Sequence, residues 1–486
     1  MLFNSLHFLA FFTLVTPLYY LLPHRYRALF LLAGSCYFYM AFVPVYILIL
    51  GFTILIDYVA GIGLDRTKGS RRKWLLIASL VANISVLAVF KYYNFINESL
   101  SGILNLWGAE NPFPMLSILL PIGLSFHTFQ AMSYTIEVYR GNQRSEPNLV
   151  IYSLYVMFYP QLVAGPIERP QNLLRQFREE HEFDYQRIVE GLKLMAWGLF
   201  KKVVIADRLA PLPDAIFNDV QQYHGLGLAL AIGAFSVQIY CDFSGYSDIA
   251  IGAARVMGFT LMTNFDRPYH ARTIAEFWRR WHISLTTWFK DYLYIPLGGS
   301  RVPVPRWYLN LVIVFVISGL WHGPNWTFVL WGLLHSFYLI FGLLTQRTRD
   351  ILRKASGLSA RPNLAAAVQR LCTFTLVTIA WVFFRANTVQ DALYVLTHLT
   401  QGLQQDINNL IYQRQLNLGF GQRDLLIALA AVAFMEFVHW AQYRGSVSRW
   451  ISQQPGYIRW PLYYAAVLTI VFLGVHGDRQ FIYFQF

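Results

Sequence analysis

The stretch that decides the fold is Leu311–Phe337, LVIVFVISGLWHGPNWTFVLWGLLHSF, in which two apolar runs flank a short polar break. Each run approaches the roughly 20 residues that a helix needs to cross a bilayer. Gly323-Pro324 breaks the helix between them, because proline lacks an amide donor and disfavours a helical residue before it. Irregular backbone at membrane depth is tolerated only against protein or a water-filled cavity. We therefore expect His322 to line a cavity inside a membrane protein.

The position of His322 suggests acid–base chemistry. Histidine is the side chain best suited to accept a proton near neutral pH. Acyl transfer to a hydroxyl needs such a base, since an alcohol is a poor nucleophile until its proton is removed. The alternative is a structural histidine that hydrogen-bonds a carbonyl at the helix break, and the residues around His322 alone leave both interpretations open.

The composition agrees with a membrane protein. Of the 486 residues, 56% are apolar and only 13% are charged, against roughly 25% charged residues in soluble chains. With a mean hydropathy of +0.40, the chain has too little charge to cover a soluble surface, so soluble and disordered classes are excluded. We expect an all-α polytopic transmembrane bundle of about 11 to 13 spans, with additional re-entrant or interfacial helices. No repeat or separate soluble segment is apparent, so residues 1–486 are predicted to form one membrane domain.

Cysteine usage and charge exclude several kinds of site and partner. Cys36, Cys241 and Cys372 lie in apolar runs without CxxC spacing, so neither a disulfide framework nor a zinc site is predicted. We expect no metal and no permanently bound cofactor. The net charge of +13 fits basic loops against anionic membrane lipids better than it fits nucleic acid.

The distribution of basic residues predicts an orientation. Lys and Arg near helix ends accumulate on the cytoplasmic side. Asp65–Lys73 and Arg347–Arg361 each hold five basic residues and one acid, whereas Tyr92–Pro114 has two acids and no basic residue. Counting helices across these links places the amino terminus outside. We predict a multi-pass membrane protein whose Met1 faces the periplasm or the exterior.

A second polar segment is Ala275–Ser300, AEFWRRWHISLTTWFKDYLYIPLGGS. Continuous helical spacing would put five residues on one face, Trp278, Trp281, His282, Leu285 and Phe289, and leave three cations off it, Arg279, Arg280 and Lys290. This pattern is typical of an amphipathic helix at the membrane interface. His282 is expected to point towards the same cavity as His322. The arginines would meet either lipid phosphates or a phosphate-bearing donor.

A third polar segment is Tyr240–Gly252, YCDFSGYSDIAIG. Acidic residues within membrane segments are functional hypotheses by default. Asp242 and Asp248 are six residues apart and would not share a helix face, so a paired-carboxylate mechanism is not predicted. We expect Asp242, Tyr246 and Asp248 to form a structural polar core, with Arg279 or Arg280 as ionic partners. GxSxG, HExxH, Walker A and GxGxxG motifs are missing from the sequence, which argues against a serine hydrolase, a zinc protease and a nucleotidase.

Five motifs in order resemble the membrane-bound O-acyltransferase superfamily, and specifically its bacterial branch that includes the alginate O-acetylation membrane protein. They are SFHTFQAMSYTIEVYRG, LVAGPIERP, FSGYSDIAIG, EFWRRWHISLTTWFKDYLYIPLGG and GLWHGPNWTFVLWG. The resemblance implies a helical bundle around a funnel or tunnel that reaches the catalytic histidine from the cytoplasm. The catalytic section would cover roughly residues 121–345.

The resemblance also assigns roles to residues. It implies that His322 is catalytic and that His282 is its partner. We expect substrate contacts from the residues around them, namely Arg279, Arg280, Trp281, Trp321 and Asn325. The implied donor is acetyl-CoA, and the implied destination of the acetyl group is an exported polysaccharide such as alginate or cellulose. Implied partners are a periplasmic acetyltransferase of the SGNH-hydrolase type and the machinery of polysaccharide synthesis and export.

Two alternatives stay open at this point. One is the D-alanyl transfer protein of teichoic acid synthesis, which shares the two-histidine layout and uses a carrier protein as donor. FWRRWHISLTTWF and WHGPNW look closer to the polysaccharide branch. The other alternative is a transporter or exporter without chemistry, which predicts repeat symmetry, a charged path and no need for His322.

Overall fold

A computed structural model describes residues 1–117, 121–408, 421–477, 479 and 481–482. Within these ranges the chain forms helices and no strand. Eight of its helical segments are long and apolar enough to cross a membrane: Pro44–Arg66, Ser70–Leu106, Gly225–Val256, Val304–His322, Trp326–Leu344, Pro362–Arg385, Gln422–Gln442 and Gly456–Leu473. The prediction of an all-α polytopic membrane protein is confirmed. The funnel or tunnel stays a prediction.

The eight segments are fewer than the predicted spans, because some apolar runs fold into shorter helices. The predicted span at Leu149–Val163 is a helix only over Leu149–Met157, since Pro160 disfavours helix just beyond it. The predicted span Met115–Val138 includes residues 118–120, which lie outside the described residues, and its described helix begins at Leu124. In the predicted link Tyr92–Pro114, helix continues to Leu106.

The chain divides into two compact units. The first contains Met1–Met195 and Tyr246–Met262. Its helices are α1 Leu6–Leu21, α2 His24–Met40, α3 Ile47–Arg66, α4 Ser70–Leu87, α5 Tyr93–Leu106, α6 Leu124–Arg140, α7 Leu149–Met157, α8 Pro170–Gln176 and most of α9 Tyr185–Leu199. A π-helical stretch, Ala88–Tyr92, joins α4 to α5, and Pro44–Tyr46 is a short 3₁₀ helix.

The second unit contains Ala196–Gly245 and Thr263–Ile482. Its helices are α10 Asp207–Leu209, α11 Pro211–Asn218, α12 Gly225–Val256 (whose last turns belong to the first unit), α13 Ile274–Arg280, α14 Ile283–Phe289, α15 Val304–His322, α16 Trp326–Leu344, α17 Gln346–Ala355, α18 Pro362–Arg385, α19 Val389–His398, α20 Leu403–Asn408, α21 Gln422–Gln442, α22 Val447–Gln453 and α23 Gly456–Leu473. Shorter turns are π-helical at Phe200–Ala206 and Lys290–Tyr294 and 3₁₀ at Val220–Gln222, Pro268–His270 and Leu358–Ala360. The single-domain assignment stays a prediction.

Glycines let α15 and α16 pack backbone against backbone. A Cβ on Gly319 would lie 2.2 Å from the carbonyl oxygen of Phe328, and one on Gly332 would lie 2.2 Å from that of Phe315. Real Cβ atoms essentially never approach so closely, so both positions need glycine. The close approach turns the apolar run quoted at the outset into a helical hairpin with the polar break at its tip.

Candidate active site

His322 is the last residue of α15, as the Gly-Pro break predicts. The helix stops because the backbone becomes extended at Gly323. Asn325 then starts α16, where its side-chain oxygen accepts a hydrogen bond from the Thr327 amide at 3.0 Å. Such an N-cap satisfies one of the amides that the first turn leaves without a partner. The Asn325 cap and the helix break at Gly323 together fix the position of His322.

Gly323 is required by space. A Cβ there would lie 2.1 Å from Cε2 and 2.5 Å from Cδ2 of Phe328. The Phe328 ring is itself buried, and it packs edge-on against Phe384 at 5.0 Å. The glycine therefore allows the aromatic wall to press against the backbone directly after His322.

Aromatic rings enclose the His322 imidazole, whose residue is only 5% exposed. The ring centroids of Trp321, Trp331 and Phe384 lie 4.9, 5.1 and 5.2 Å from it, all near edge-on. Trp331 in turn stacks on Trp381 of α18 at 6.0 Å. His322 thus lies in an aromatic pocket within the second unit, where bulk water is displaced and polar interactions are strengthened.

His282 does not lie on a continuous amphipathic helix, and that part of the sequence interpretation is wrong. The chain breaks between α13 and α14, and His282 occupies the break in the left-handed conformation, with φ 42° and ψ 54°. A non-glycine residue in this region is strained and persists only where its surroundings enforce it. The predicted apolar face is nevertheless buried, since Trp278, Trp281 and Leu285 all lie in the core.

Asn264 enforces the conformation of His282. The carbonyl oxygen of Asn264 accepts the Ile283 amide at 2.9 Å. Its side-chain Oδ1 accepts the Ser284 amide at 3.2 Å and the Ser284 hydroxyl at 2.9 Å. Asn264 is fully buried, so these bonds are protected from water.

The same oxygen sets the tautomer of His282. Nδ1 of His282 lies 3.1 Å from Asn264 Oδ1, and the Ser284 amide, which can only donate, identifies that atom as an oxygen acceptor. Nδ1 therefore carries the proton, and Nε2 carries the lone pair. Burial lowers the pKa of His282 to about 3, because desolvation disfavours the charged imidazolium. His282 is thus a neutral imidazole with a defined basic nitrogen.

Trp321 brings the two predicted histidines together. Its ring lies 6.1 Å from His282 and 4.9 Å from His322, measured between centroids. Trp321 therefore contacts both imidazoles, and the expectation that they line one cavity stays a prediction. Their catalytic roles stay predictions.

The other predicted substrate residues have different surroundings. Arg280 pairs with Glu276 at 2.7 Å, and Trp281 is buried between Phe277 and Trp381. Asn325 caps α16 and also donates to the Asn387 carbonyl at 3.0 Å. These contacts suffice to explain three of the five residues structurally, and substrate contact stays a prediction for all five.

Arg279 is exposed and lines a large cavity of the second unit. The cavity has a volume of about 1180 Å³, and helices α13 to α18 contribute most of its lining. The walls are mostly apolar, and the lining carries one acid, Asp350, which pairs with Arg353 at 3.6 Å, and five cations: Arg272, Arg279, Lys290, Arg349 and Arg353. Trp278 connects this cavity to the histidine pocket through ring contacts, since it lines the cavity and also packs on Trp331 at 5.6 Å. An elongated molecule with an anionic end suits such a space.

The predicted polar core has a different partner. Asp242 binds Lys202 at 2.7 Å, and the same ammonium group binds Asp207 at 2.9 Å. Both carboxylates are buried, so the pairing with Lys202 replaces the expected contact with Arg279 or Arg280. In the first unit, Tyr246 stacks on Phe3 at 4.4 Å, and Asp248 lies on the part of α12 that belongs to this unit.

Sequence reasoning missed two residues of this region. Asn264 stands in an irregular segment and carries no signal in a single sequence. His335 does carry one, because it is a histidine inside an apolar run, four residues after Trp331. It is fully buried, and its Nδ1 accepts a hydrogen bond from Trp278 Nε1 at 3.3 Å, so a third imidazole joins the aromatic cluster.

Comparison with known proteins identifies the family of the chain. The model of the membrane-bound O-acyltransferase family matches residues 140–384, a range that includes both histidines and Asn264. A probable alginate O-acetylase of Azotobacter vinelandii is 41% identical over 398 residues, which cover 81% of this chain and 76% of the relative. A peptidoglycan O-acetyltransferase of Helicobacter pylori is 35% identical over 82% of this chain and 79% of its own length. A teichoic acid D-alanyltransferase of Streptococcus thermophilus is 28% identical over 55% of this chain and 69% of its own length. The chain belongs to the membrane-bound O-acyltransferase family, in the alginate O-acetylase branch, and is a multi-pass membrane O-acyltransferase.

Proposed function

We propose that this enzyme takes an acetyl group from acetyl-CoA on the cytoplasmic side of the bacterial inner membrane and passes it towards an exported polysaccharide, such as alginate or cellulose, with His322 as the catalytic residue. The observation that carries the proposal is the broken helix, which holds His322 in an aromatic pocket next to Trp321, the ring that also contacts His282. The printed names of the relatives, an alginate O-acetylase and a peptidoglycan O-acetyltransferase, support a glycan as the final acceptor.

The cavity beside the pocket supports a CoA donor. CoA combines a long pantetheine arm with phosphates, and the cavity combines apolar walls with cations that include Arg279 and Arg353. Guanidinium groups bind phosphate through two parallel hydrogen bonds. Trp278 lines the cavity and contacts Trp331, which contacts His322, so the acetyl end of the donor would pass these rings to reach the histidine.

The chemistry follows from the two imidazoles. The acceptor hydroxyl loses its proton to the imidazole of His322 as its oxygen attacks the thioester carbonyl. The bond between the carbonyl carbon and sulfur then breaks, the new ester bond remains, and the proton goes to the leaving thiolate. A desolvated pocket strengthens the interactions that stabilise the developing oxyanion. His282, neutral with its lone pair on Nε2, accepts a hydrogen bond and so orients the reacting groups.

Partners and orientation complete the proposal. The basic segments Asp65–Lys73 and Arg347–Arg361 support a cytoplasmic location for those links and a periplasmic amino terminus. A periplasmic partner of the SGNH-hydrolase type would receive the acetyl group and complete its transfer, next to the machinery that makes and exports the polymer.

The test compares the wild type with His322→Ala in the native host. At equal membrane levels, we expect the O-acetyl content of the exported polysaccharide to fall by about 100-fold or more, the range over which a general base contributes. His224→Ala is the matched control, because this histidine is 53% exposed in its side chain and pairs only loosely with Asp406. Unchanged acetylation in His322→Ala would refute the catalytic role.

The alternative of D-alanyl transfer differs in its donor. The teichoic acid relative supports it over a smaller part of the chain, whereas a transporter without chemistry is excluded by membership of an acyltransferase family. Purified protein in nanodiscs, supplied with radiolabelled acetyl-CoA or with a D-alanyl carrier protein, distinguishes the two donors. Label released only from acetyl-CoA, and lost in His322→Ala, supports acetyl transfer; release only from the carrier protein contradicts it.

A further inference from the structure

Three side chains converge in the second unit away from the catalytic histidines. Nε2 of His270 lies 2.7 Å from Oε2 of Glu436, and Nδ1 of His439 lies 3.3 Å from Oε1 of the same carboxylate. All three potential ligand atoms lie within 4.8 Å of one another. We propose that this triad, His270–Glu436–His439, binds a divalent transition-metal ion of the zinc type.

Two separate elements supply the triad. Glu436 and His439 lie one turn apart on α21, and this i, i+3 spacing puts them on one face of the helix. His270 ends the 3₁₀ turn Pro268–His270, which precedes α13. A metal bound here would tie α21 to the segment that leads to His282. The sequence predicts no zinc site because its cysteines lack CxxC spacing. A site made of two histidines and one glutamate needs no cysteine.

The ligand set and its spacing suit zinc. Two imidazole nitrogens and one carboxylate oxygen are a common zinc ligand set, with metal–ligand bonds of roughly 2.0–2.2 Å. In a tetrahedral site such bonds hold the ligand atoms about 3.3–3.6 Å apart. The two histidine–carboxylate separations here, 2.7 and 3.3 Å, lie at or just below this range, and no pair of the three ligand atoms is more than 4.8 Å apart, so shifts of side-chain torsions suffice to close the site around an ion. Water would complete the coordination, as it does at other sites with three protein ligands.

Neighbouring groups already orient His439 and hold the residue next to His270. The Tyr240 hydroxyl lies 3.4 Å from Nε2 of His439, the ring nitrogen that faces away from Glu436. Next to His270, the Tyr269 hydroxyl donates to the Ser236 carbonyl and accepts from Trp381 Nε1 at 3.2 Å. Hydrogen bonds to the second ring nitrogen and fixed ligand positions are typical of metal sites.

Charge and access also permit an ion to enter. The nearby cations face other groups, since Arg267 binds Asp266 at 2.9 Å and lies over the Tyr443 ring, and Lys201 binds Ser244. Glu436 is 44% exposed in its side chain. Glu436 and His439 lie within about 9 Å of the carboxyl-terminal end of α21, at 1.5 Å per residue. The half-exposed carboxylate is therefore open to an ion near that end of the helix.

The test measures metal content rather than acyl transfer, so its outcome is independent of the proposed function. The full-length protein, purified in nanodiscs without a histidine tag, is loaded with Zn²⁺ or Co²⁺ and desalted. We expect stoichiometric zinc by elemental analysis, and with cobalt the visible d–d bands of a low-symmetry site. The double variant His270→Ala/His439→Ala should lose both signals, whereas His224→Ala/His398→Ala, which removes two histidines elsewhere in the same unit, should keep them.

Glu436→Gln guards against loss of the fold. The amide of glutamine is neutral and can still hydrogen-bond both histidines, so this variant should keep its thermal midpoint in the absence of metal and bind zinc at least tenfold more weakly. Zinc should also raise the midpoint of the wild type more than that of Glu436→Gln. Wild type that retains no more metal than the double variant, or equal zinc affinity in wild type and Glu436→Gln, would show that the triad is a hydrogen-bonded clamp without a metal.

Discussion

The two histidines of this enzyme are held in opposite ways. His322 ends a long helix and is surrounded by the rings of Trp321, Trp331 and Phe384. His282 sits in a strained break between two short helices, held by hydrogen bonds to Asn264. Rings fix where an imidazole lies but not which nitrogen carries the proton. A hydrogen bond to one nitrogen fixes both, so the contact with Asn264 defines the position and the protonation of His282.

Gly323→Ala tests the positioning of His322 and should have the largest effect. The added Cβ meets the Phe328 ring, and because that ring is packed against Phe384, the end of α15 must move instead. Displacing a reacting group by about 1 Å can cost 100-fold in rate, and overpacking costs about 1–3 kcal/mol of stability. Acetyl transfer per folded molecule and the thermal midpoint measure the two losses.

Gly233→Ala is the control for this substitution. Gly233 lies within α12, and an added Cβ would meet no atom within 4 Å. The control should keep its activity and gain slightly in stability, since alanine favours helix over glycine by about 1 kcal/mol. If Gly323→Ala behaves like Gly233→Ala, the tight packing around His322 has no role in catalysis.

Asn264→Ala tests the hydrogen-bonded side of the comparison and should have an intermediate effect. It removes the acceptor of His282 Nδ1 and of two groups of Ser284, and each buried donor left without a partner costs about 1–3 kcal/mol. We expect acetyl transfer per folded molecule to fall by roughly tenfold, the equivalent of about 1.4 kcal/mol. Asn310→Ala, which removes another buried amide, should lower stability but leave the activity of the folded enzyme intact; equal activity in both variants would contradict the role of Asn264.

The pH dependence of activity in Asn264→Asp tests whether the protonation state of His282 matters. In the wild type, burial holds the pKa of His282 at about 3, so its basic form is complete across about pH 5–8 and its titration should not lower activity there. An aspartate in place of Asn264 raises the pKa of His282, because the carboxylate stabilises the imidazolium. Activity of the variant should then fall as pH decreases through the raised pKa. Identical pH profiles of variant and wild type would exclude this coupling.

Pro324→Ala should have the smallest effect. The sequence predicts that Gly323-Pro324 breaks the helix, and the structure adds two other causes, the crowding at Gly323 and the Asn325 cap. Both persist in the variant, so activity should fall only a few-fold, by less than about 1 kcal/mol. Acetylation is measured in Pro324→Ala and Gly323→Ala side by side. A larger loss of acetylation in Pro324→Ala would show that the proline is the main cause of the helix break.

The same contrast explains which parts of the site the sequence predicts. His322, its helix break and its apolar flanks are local features, because proline and glycine act on the residues next to them. The break at His282 has no such residue within it, and helical spacing therefore predicts one amphipathic helix. The cause is Asn264, eighteen residues away along the chain, and a contact of that kind leaves no periodic pattern. The predicted ionic partner of Asp242, Arg279 or Arg280, is wrong for the same reason. The actual partner, Lys202, lies forty residues away in the chain.

By itself, the sequence determined the membrane environment, the all-α class and the position of His322, because each follows from composition, apolar run length or residues adjacent in the chain. The resemblance of five motifs indicated the family. Only the tertiary structure decided that Trp321 contacts both histidines, that Asn264 sets the tautomer of His282, and that His270 meets Glu436 and His439. These features depend on distances between segments far apart in sequence. Burial then sets the protonation state of these groups. Withdrawal from water strengthens a hydrogen bond and keeps a buried imidazole neutral.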